Sequence, residues 1–285
     1  MNALHTILQK PISIPHDSSI SHVISNLLTH DISRFLIEKN NESKIISEKD
    51  IGLFLLKEET EKNLDDIPAY SIANRLTSVH EDMSIHDAAE IMIDKKIGSL
   101  GVKSNELGII GIITKTDLAR YYLKNFVGQK RIGDFMTISY TSMYSQDSLN
   151  HVVSKMIDEK LSRIFLKNQD NEPEGILTFR DLFHIALEEG RSDTVIDNSD
   201  PAISIMFPRK GFLSESGFGA TTAAKDVMNK YIVSVDYDDD LAQACLQMIE
   251  HKINGLGVKI NGKLSGVISK SDIVKAITEI KETKI

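Results

Sequence analysis

Four Ser/Thr-x-x-Asp tetrapeptides are the residues in this chain best suited to bind a small molecule. They run from Ser47 to Asp50, Thr114 to Asp117, Thr178 to Asp181 and Ser269 to Asp272. An ionised Asp only accepts hydrogen bonds, so it suits the two adjacent hydroxyls of a ribose. At a strand-to-helix junction, the tetrapeptide also lies beside the unpaired N–H groups of the first helical turn, which favour phosphate. Its chemistry therefore fits the sugar and the phosphate of a nucleotide.

The same tetrapeptide also fits a capping box, with Ser or Thr as the helix N-cap and Asp in the first turn. For a single copy both interpretations stay open. A cap requires neither a second hydroxyl nor an upstream glycine. A glycine at that position lets a flat ring approach the backbone. The second and fourth copies have both features, and this favours ligand binding there. The features are Gly111 and Thr116 in the second copy and Gly266 and Ser271 in the fourth.

The other two copies depart from this pattern. The third keeps Gly175 but has Arg180 where the second hydroxyl would stand, and we expect this Arg to meet a phosphate. The first copy has Lys44 in place of the glycine. The predicted strength of the ribose contacts falls in the order Asp117 and Asp272, then Asp181, then Asp50.

The elements that must position these tetrapeptides come from a fourfold repeat. Segments that start at four serines align without a gap over 25 positions: Ser13, Ser78, Ser142 and Ser234. Apolar residues at offsets of 0, 4, 7 and 8 mark one buried helix face, as in Ile85, Ala89, Met92 and Ile93. A good N-cap precedes each face: Ser19, Ser84, Ser148 or Asp240. With an extended run before the first helix, and two strands and a second helix after it, each unit is predicted to be β-α-β-β-α.

The predicted fold class is therefore α+β, with repeats at 1–62, 63–128, 129–190 and 223–285 and a linker at 191–222. Units of about 60 residues are marginally stable alone, so they should pack in pairs. Repeats 1 and 3 share a Ser-Arg dipeptide before the first core strand, whereas repeats 2 and 4 have glycines there. This A-B-A-B order predicts two pseudo-two-fold modules, repeat 1 with 2 and repeat 3 with 4. The linker contains three Phe and three Gly; it is a lid, a partner-binding loop or, as we favour, a crossover that packs its aromatic rings.

The repeated features together resemble the CBS domain. They are the β-α-β-β-α unit, an extended Ser-Val before a capped helix, and Gly-h-h-Ser/Thr-x-Ser/Thr-Asp (h, hydrophobic) after the last strand. The full motif stands at Gly111 to Asp117 and again at Gly266 to Asp272. The resemblance covers nearly the whole chain, as two tandem pairs or Bateman modules. The layout is similar to stand-alone archaeal four-CBS proteins and, more distantly, to the gamma regulatory subunit of AMP-activated protein kinase.

The resemblance implies that adenosine-containing ligands bind in clefts between paired repeats: AMP, ADP, ATP or an S-adenosylmethionine-like compound. It places the extended Ser-Val dipeptides near the ligand with the motif: Ser78, Val79, Ser234 and Val235. It also places basic residues where the first core strand begins, to contact phosphates, and Arg34 and Arg163 occupy that position. The alternative is a surface Arg whose stem covers apolar area. Lys115 and Lys270, inside the motifs, are lower-ranked candidates.

Composition restricts the other function classes. A net charge of −8 argues against broad nucleic-acid binding. No apolar run is long enough to span a membrane and no signal peptide is evident, so we expect a soluble, cytoplasmic protein. Cys245, the only cysteine, aligns with core positions and is predicted to be a small core residue. The nine histidines include no H-E-x-x-H or Cys/His cluster, so no metal site is expected.

Three classes of function remain. The leading one is a regulatory module that senses an adenosine compound and signals to an unidentified protein partner, either alone or as a homodimer, with no required cofactor. An enzyme is disfavoured, because the repeats occupy the chain and leave no nucleophile–base pair. The third is a scaffold whose tetrapeptides are only helix caps.

Overall fold

The structure, a computed structural model, describes residues 4–40, 42–57, 62–190 and 222–280. In this part of the chain each repeat has the predicted order of a short strand, a helix, a two-stranded hairpin and a second helix. The α+β fold class is therefore confirmed. The predicted linker, apart from residue 222, lies outside the described residues.

The elements of the first two repeats are as follows. Repeat 1 consists of β1 (Ser13–Ile14), α1 (Ile20–Thr29), β2 (Arg34–Lys39), β3 (Glu42–Ser47) and α2 (Glu48–Lys57). Repeat 2 follows the short strand β4 (Asn74–Arg75) and consists of β5 (Ser78–His80), α3 (Ile85–Asp94), β6 (Ser99–Ser104), β7 (Gly108–Thr114) and α4 (Lys115–Asn125).

The last two repeats follow the same plan. Repeat 3 follows β8 (Thr137–Ile138) and consists of β9 (Ser142–Tyr144), α5 (Leu149–Asp158), β10 (Arg163–Lys167), β11 (Pro173–Thr178) and α6 (Phe183–Gly190). Repeat 4 consists of β12 (Ser234–Asp236), α7 (Leu241–Glu250), β13 (Gly255–Ile260), β14 (Lys263–Ser269) and α8 (Lys270–Glu279). In repeat 3, a 3-10 turn at Phe179–Leu182 separates β11 from α6.

The sheet of each repeat fixes the place of its tetrapeptide. The first strand pairs in parallel with the second, and the second and third strands form an antiparallel hairpin. The third strand ends at the Ser or Thr of the tetrapeptide, and a helical turn begins at the next residue. All four tetrapeptides therefore lie at strand-to-helix junctions, as predicted.

The first helix of each repeat begins at its predicted N-cap. The hydroxyls of Ser19, Ser84 and Ser148 accept a hydrogen bond from the backbone N–H three residues later, and Asp240 accepts one from Ala242. The helix faces are buried at offsets 0, 4 and 7 and partly buried at offset 8. Offset 3, absent from the predicted face, is also buried, because a turn of 3.6 residues places it on the same side. These residues are Val23, Ala88, Val152 and Ala244.

The chain divides into two compact units, each with its own hydrophobic core. The first unit contains repeats 2 and 4 and covers Met1–Pro11, Leu76–Tyr140 and Ile232–Ile285; the second contains repeats 1 and 3 and covers Ile12–Arg75 and Thr141–Tyr231. In the first unit α3 packs against α8, and α4 packs against α7 and α8. In the second, α1 packs against α6 and α2 against α5.

The predicted pairing of repeat 1 with 2 and of repeat 3 with 4 is therefore wrong for the hydrophobic cores, which join like repeats. The A-B-A-B order reports which repeats resemble each other, and resemblance does not specify which helices touch. Within each unit, the first helix of one repeat packs on the second helix of the other, in both directions. This reciprocal packing gives each unit its pseudo-two-fold relation.

Repeats 1 and 2 nevertheless exchange the segments that lead into them, as do repeats 3 and 4. The segment before repeat 1 pairs with repeat 2 between Gln9 and Ile112, and β4, before repeat 2, pairs with β3 of repeat 1. Likewise β8 pairs with β14 of repeat 4, and Asn229, before repeat 4, pairs with Ile176 of repeat 3. The compact units therefore cross the repeat boundaries predicted from the sequence.

Candidate functional site

The four strand-to-helix junctions share one hydrogen-bond arrangement. In repeat 2, Asp117 Oδ2 accepts from the backbone N–H of Thr114 at 2.9 Å and from its hydroxyl at 2.7 Å. The corresponding bonds in repeats 3 and 4 all measure 2.7 Å. In repeat 1 they measure 2.8 Å and 2.5 Å. The capping interpretation therefore describes one oxygen of every motif carboxylate.

The second oxygen, Oδ1, differs between repeats. Asn74 donates to Asp50 Oδ1 at 2.7 Å, and Arg120 donates to Asp117 Oδ1 at 3.1 Å. Among the described residues, no side chain or backbone group donates to Oδ1 of Asp181 or Asp272. Repeats 3 and 4 therefore present a carboxylate oxygen that the cap holds in place and to which no described residue donates.

Burial separates the two carboxylates that the sequence ranks first. Asp117 is only 4% exposed, whereas Asp272 is partly exposed. Asp181 is also partly exposed, and burial raises its pKa, against the lowering effect of its bonds from Thr178. The geometry thus favours Asp272 over Asp117 as a contact for an incoming ligand.

The second hydroxyls and the motif lysines bond to one another across the first unit. Lys115 Nζ donates to Ser271 Oγ at 2.7 Å, and Lys270 Nζ donates to Thr116 Oγ1 at 3.0 Å. Lys270, 6% exposed, also donates to Asn254 Oδ1 at 3.3 Å. These bonds join the N-termini of α4 and α8 and give both hydroxyls a structural role. The second hydroxyl, which favoured ligand binding in the sequence, therefore no longer distinguishes a ligand site from a cap.

Arg180 occupies the position of the second hydroxyl in repeat 3 and has a corresponding role in the second unit. Its guanidinium donates to Glu48 at 2.6 Å and to Asp31 at 2.9 Å. It also donates to the carbonyls of Leu27 and Ile32, near the end of α1. These four bonds all join repeat 3 to repeat 1 and give Arg180 a structural role, so its contact with a phosphate stays a prediction.

The motif glycines are needed where another backbone segment approaches them, and their role of admitting a flat ring stays a prediction. A Cβ on Gly111 would lie 2.8 Å from Gln9 O, and one on Gly175 would lie 2.9 Å from Asn229 O. A Cβ on Gly266 would collide with the Thr137 carbonyl. In each case the clash is with the exchanged lead-in segment. These contacts are tighter than side-chain atoms tolerate.

The predicted phosphate-binding arginines lie directly across the hairpin from a motif hydroxyl. Arg34 is the register partner of Ser47, and Arg163 is the register partner of Thr178. The equivalent partners in the first unit are Ser99, opposite Thr114, and Gly255, opposite Ser269. The second unit therefore has its cations on the hairpin, and the first unit has Lys115 and Lys270 on its helices.

The Ser-Val dipeptides lie on the far strand of their sheets. Val79 and Val235 are both 6% exposed and belong to the core of the first unit. Ser78 and Ser234 pair with Gly101 and Gly257 on the middle strand. Two strand spacings, about 10 Å, separate them from the strand that carries the motif. The structure therefore places them in the same sheet as the motif but not beside the carboxylate.

Cys245 is a small core residue, as the sequence predicts. Cys245 is fully buried, and burial raises the pKa of its thiol to about 12. Such a thiol is a poor nucleophile, because the thiolate is the reactive form.

Among the described residues, no helix has both the length and the apolar character that crossing a membrane requires.

Comparison with known proteins identifies the repeated unit. The CBS domain model matches residues 68–124, 132–188 and 224–279, which is more than half of the chain. The chain belongs to the CBS domain family. These matches fall within CBS repeats 2, 3 and 4. Repeat 1 lies outside them but has the same element order and the same capped junction.

Archaeal proteins share this CBS architecture along nearly the whole chain. MJ1225 of Methanocaldococcus jannaschii, reported as a proposed archaeal homologue of g-AMPK, superposes with a TM-score of 0.74 over 96% of this chain and 99% of that chain, at 19% identity. A conserved Pyrococcus horikoshii protein gives a TM-score of 0.61 over the same shares, at 16% identity. MJ1404 of M. jannaschii, an uncharacterized protein, is 22% identical over 276 residues, or 95% of this chain, which spans 60% of its length. These likenesses show a shared fold.

Sequence reasoning missed the neighbours that occupy or orient the CBS motif residues. Arg120 stands three residues after Asp117 on α4, a spacing that brings side chains together on a helix and was visible in the sequence. Asn74 and Asn254 carried no such signal, because each reaches the motif through strand pairing or packing.

Proposed function

We propose that this CBS protein is a non-catalytic regulatory sensor of adenosine-containing ligands, and that the repeat 4 junction is its leading site. One observation carries the proposal: the cap fixes Asp272 through Oδ2 and leaves Oδ1 without a donor among the described residues. Membership of the CBS family supports it, because such ligands often bind in that family.

The unused oxygen suits a ribose. A carboxylate oxygen only accepts hydrogen bonds, and ribose hydroxyls can donate them; bonds to a charged group contribute about 1.5–3 kcal/mol each. The cap holds the carboxylate in one orientation, so little side-chain freedom is lost on binding. On these grounds Asp272 ranks first and Asp181 second. Asp117 requires Arg120 to move, and Asp50 requires Asn74 to move.

The phosphates of AMP, ADP or ATP would meet positive charge at the same junctions. The N-termini of α4 and α8 favour anions and carry Lys115 and Lys270. In the second unit, Arg34 and Arg163 lie opposite the motif hydroxyls. Arg presents a fixed fork of donors that matches phosphate oxygens.

Regulation follows from the bonds that the lysines already make. A phosphate that draws Lys270 towards itself weakens the bond from Lys270 to Thr116, and so changes the contact between α4 and α8. A ligand shifts a protein between arrangements only if it binds one of them better. The altered contact between repeats 2 and 4 would be the signal that a protein partner reads.

A second candidate is a scaffold without a ligand. The specific observation in its favour is that the capping geometry is present at all four junctions. Helix capping alone explains the Ser/Thr and one Asp oxygen of each motif. It does not explain the open Oδ1 of Asp181 and Asp272.

A thermal-shift panel of AMP, ADP, ATP and S-adenosylmethionine separates the candidates. The sensor predicts a saturable rise in melting temperature for at least one compound, with the compound left intact. The matched variants are Asp272→Asn, which retains a capping acceptor, and Asp238→Asn, whose side chain is 80% exposed in the same repeat. The rise should diminish in Asp272→Asn and persist in Asp238→Asn. No shift with any compound supports the scaffold, and turnover of the nucleotide contradicts both.

A further inference from the structure

The first two turns of α3 bring together three side chains that the nucleotide site does not use. His86, Asp87 and Glu90 each offer one ligand atom, and these atoms lie within 4.8 Å of one another. His86 Nδ1 is 3.9 Å from an Asp87 oxygen and 3.8 Å from a Glu90 oxygen. His86 and Glu90 are four residues apart and therefore share a face of the helix.

A bond from outside the cluster determines which nitrogen of His86 faces the carboxylates. His86 Nε2 lies 3.0 Å from the backbone carbonyl of Thr278, near the end of α8. A carbonyl only accepts, so Nε2 must carry the proton. In the neutral ring Nδ1 then has a lone pair directed at two carboxylates. Three electron-pair donors thus face one another, an arrangement that a cation stabilises.

We propose that His86 Nδ1, Asp87 and Glu90 bind a divalent transition metal ion of the zinc class. Imidazole with carboxylate oxygens is a common ligand set for Zn²⁺, and three protein ligands leave a fourth position for water. A histidine that binds a metal usually donates its other N–H to a carbonyl or carboxylate, as His86 does to Thr278. In a tetrahedral site the ligand atoms lie about 3.4 Å apart, so side-chain movements of about 1 Å would bring these three atoms to the required spacing.

The location gives the metal a structural consequence. His86 links the start of α3 in repeat 2 to the end of α8 in repeat 4, and α3 and α8 pack together in the first unit. A metal ion on His86 would hold the ring in the orientation that this link requires. Metal binding should therefore stabilise the first unit, because an ion that binds only the folded state raises its stability.

The site is tested on the full chain, without a histidine tag and after dialysis against EDTA. Titration with Zn²⁺ in competition with a chromogenic chelator should show one tight equivalent, and Co²⁺ should give the visible absorption of a four-coordinate site. Glu90→Gln, at a side chain that is 54% exposed, should lower the affinity about tenfold or more, since even indirect partners of a metal contribute that much. Glu250→Gln, at an exposed position on α7, is the matched control and should bind normally.

Two further measurements complete the test. His86→Gln should remove the tight equivalent, and His151→Ala, at an exposed histidine of α5, should leave it intact. Zn²⁺ should raise the melting temperature of the wild type more than that of Glu90→Gln. The proposal is overturned if no stoichiometric binding is seen, or if Glu90→Gln and Glu250→Gln bind Zn²⁺ equally. Either result identifies the cluster as an ordinary histidine–carboxylate group that holds no metal.

Discussion

Replacing Arg180 by Met should destabilise the second unit, because its guanidinium holds four acceptors of repeat 1. Two of them are carboxylates, Glu48 at 2.6 Å and Asp31 at 2.9 Å. Bonds to charged groups contribute about 1.5–3 kcal/mol each, and removing one partner of a buried pair costs about 3–5 kcal/mol. The side chain of Arg180 is 29% exposed, and solvent screening reduces these values. We expect the free energy of unfolding to fall by about 2–4 kcal/mol at pH 7.

The loss should depend on pH through Glu48. Burial raises the pKa of this carboxyl, while Arg180 lowers it in opposition. With a raised pKa, the folded protein holds the proton more tightly than the unfolded chain, so this contribution to stability is full below the unfolded pKa and is lost as pH rises through the folded pKa. Without Arg180 the pKa of Glu48 rises further, so the folded protein loses more stability when Glu48 ionises. The difference between wild type and Arg180→Met should therefore be smaller near pH 4 than at pH 7.

Urea unfolding at the two pH values measures this effect, and the double variant Arg180→Met/Glu48→Gln provides the matched test. A neutral amide at position 48 needs no cation, so the double variant should recover at least half of the loss. An unchanged free energy of unfolding in Arg180→Met at pH 7 would refute the assigned role. So would a double variant whose loss equals the sum of the two single losses.

Three other predictions follow from the packing. Gly266→Ala should lower the free energy of unfolding by about 1–3 kcal/mol, because its Cβ collides with the Thr137 carbonyl. Unchanged stability in urea, together with weaker nucleotide binding, would instead support a role of Gly266 in admitting the flat ring of a ligand. Tyr122→Phe should stabilise the protein by about 1 kcal/mol in the same assay, because the buried hydroxyl has no hydrogen-bond partner among the described residues; a loss of stability would reveal a partner. Cys245 should react with a thiol reagent at pH 8 only after unfolding, because burial raises its pKa to about 12; rapid labelling of the folded protein would contradict its core position.

Local patterns were enough to predict the repeated unit and its caps. Ser84 caps the N-terminus of α3, and Ala89 and Met92 lie in the core, because a helix face and its N-cap depend on residues close in sequence. The four Ser/Thr-x-x-Asp junctions were predictable for the same reason. Each junction is formed by a strand and a helical turn that directly follow each other in the chain.

Partners distant in the chain were not predictable from one sequence. The bond from Lys115 to Ser271 joins residues 156 positions apart, and its existence depends on which repeats share a core. The same pairing determines that Arg180 meets Glu48 and that Gly111 meets the lead-in segment at Gln9. The motif alone suggested a phosphate for Arg180 and a ring for Gly111, because it gives residue types without their neighbours.

Calorimetric titration of Asp272→Asn with AMP tests the central claim most directly. The substitution keeps an acceptor for the Ser269 cap and removes the charged oxygen that we assign to the ribose. AMP affinity should fall about tenfold or more, which corresponds to the loss of one charge-assisted bond of about 1.5 kcal/mol or more. The free energy of unfolding should stay within about 1 kcal/mol of the wild type. Unchanged AMP affinity in Asp272→Asn, with weakened binding in Asp50→Asn, would show that the repeat 4 carboxylate is only a helix cap.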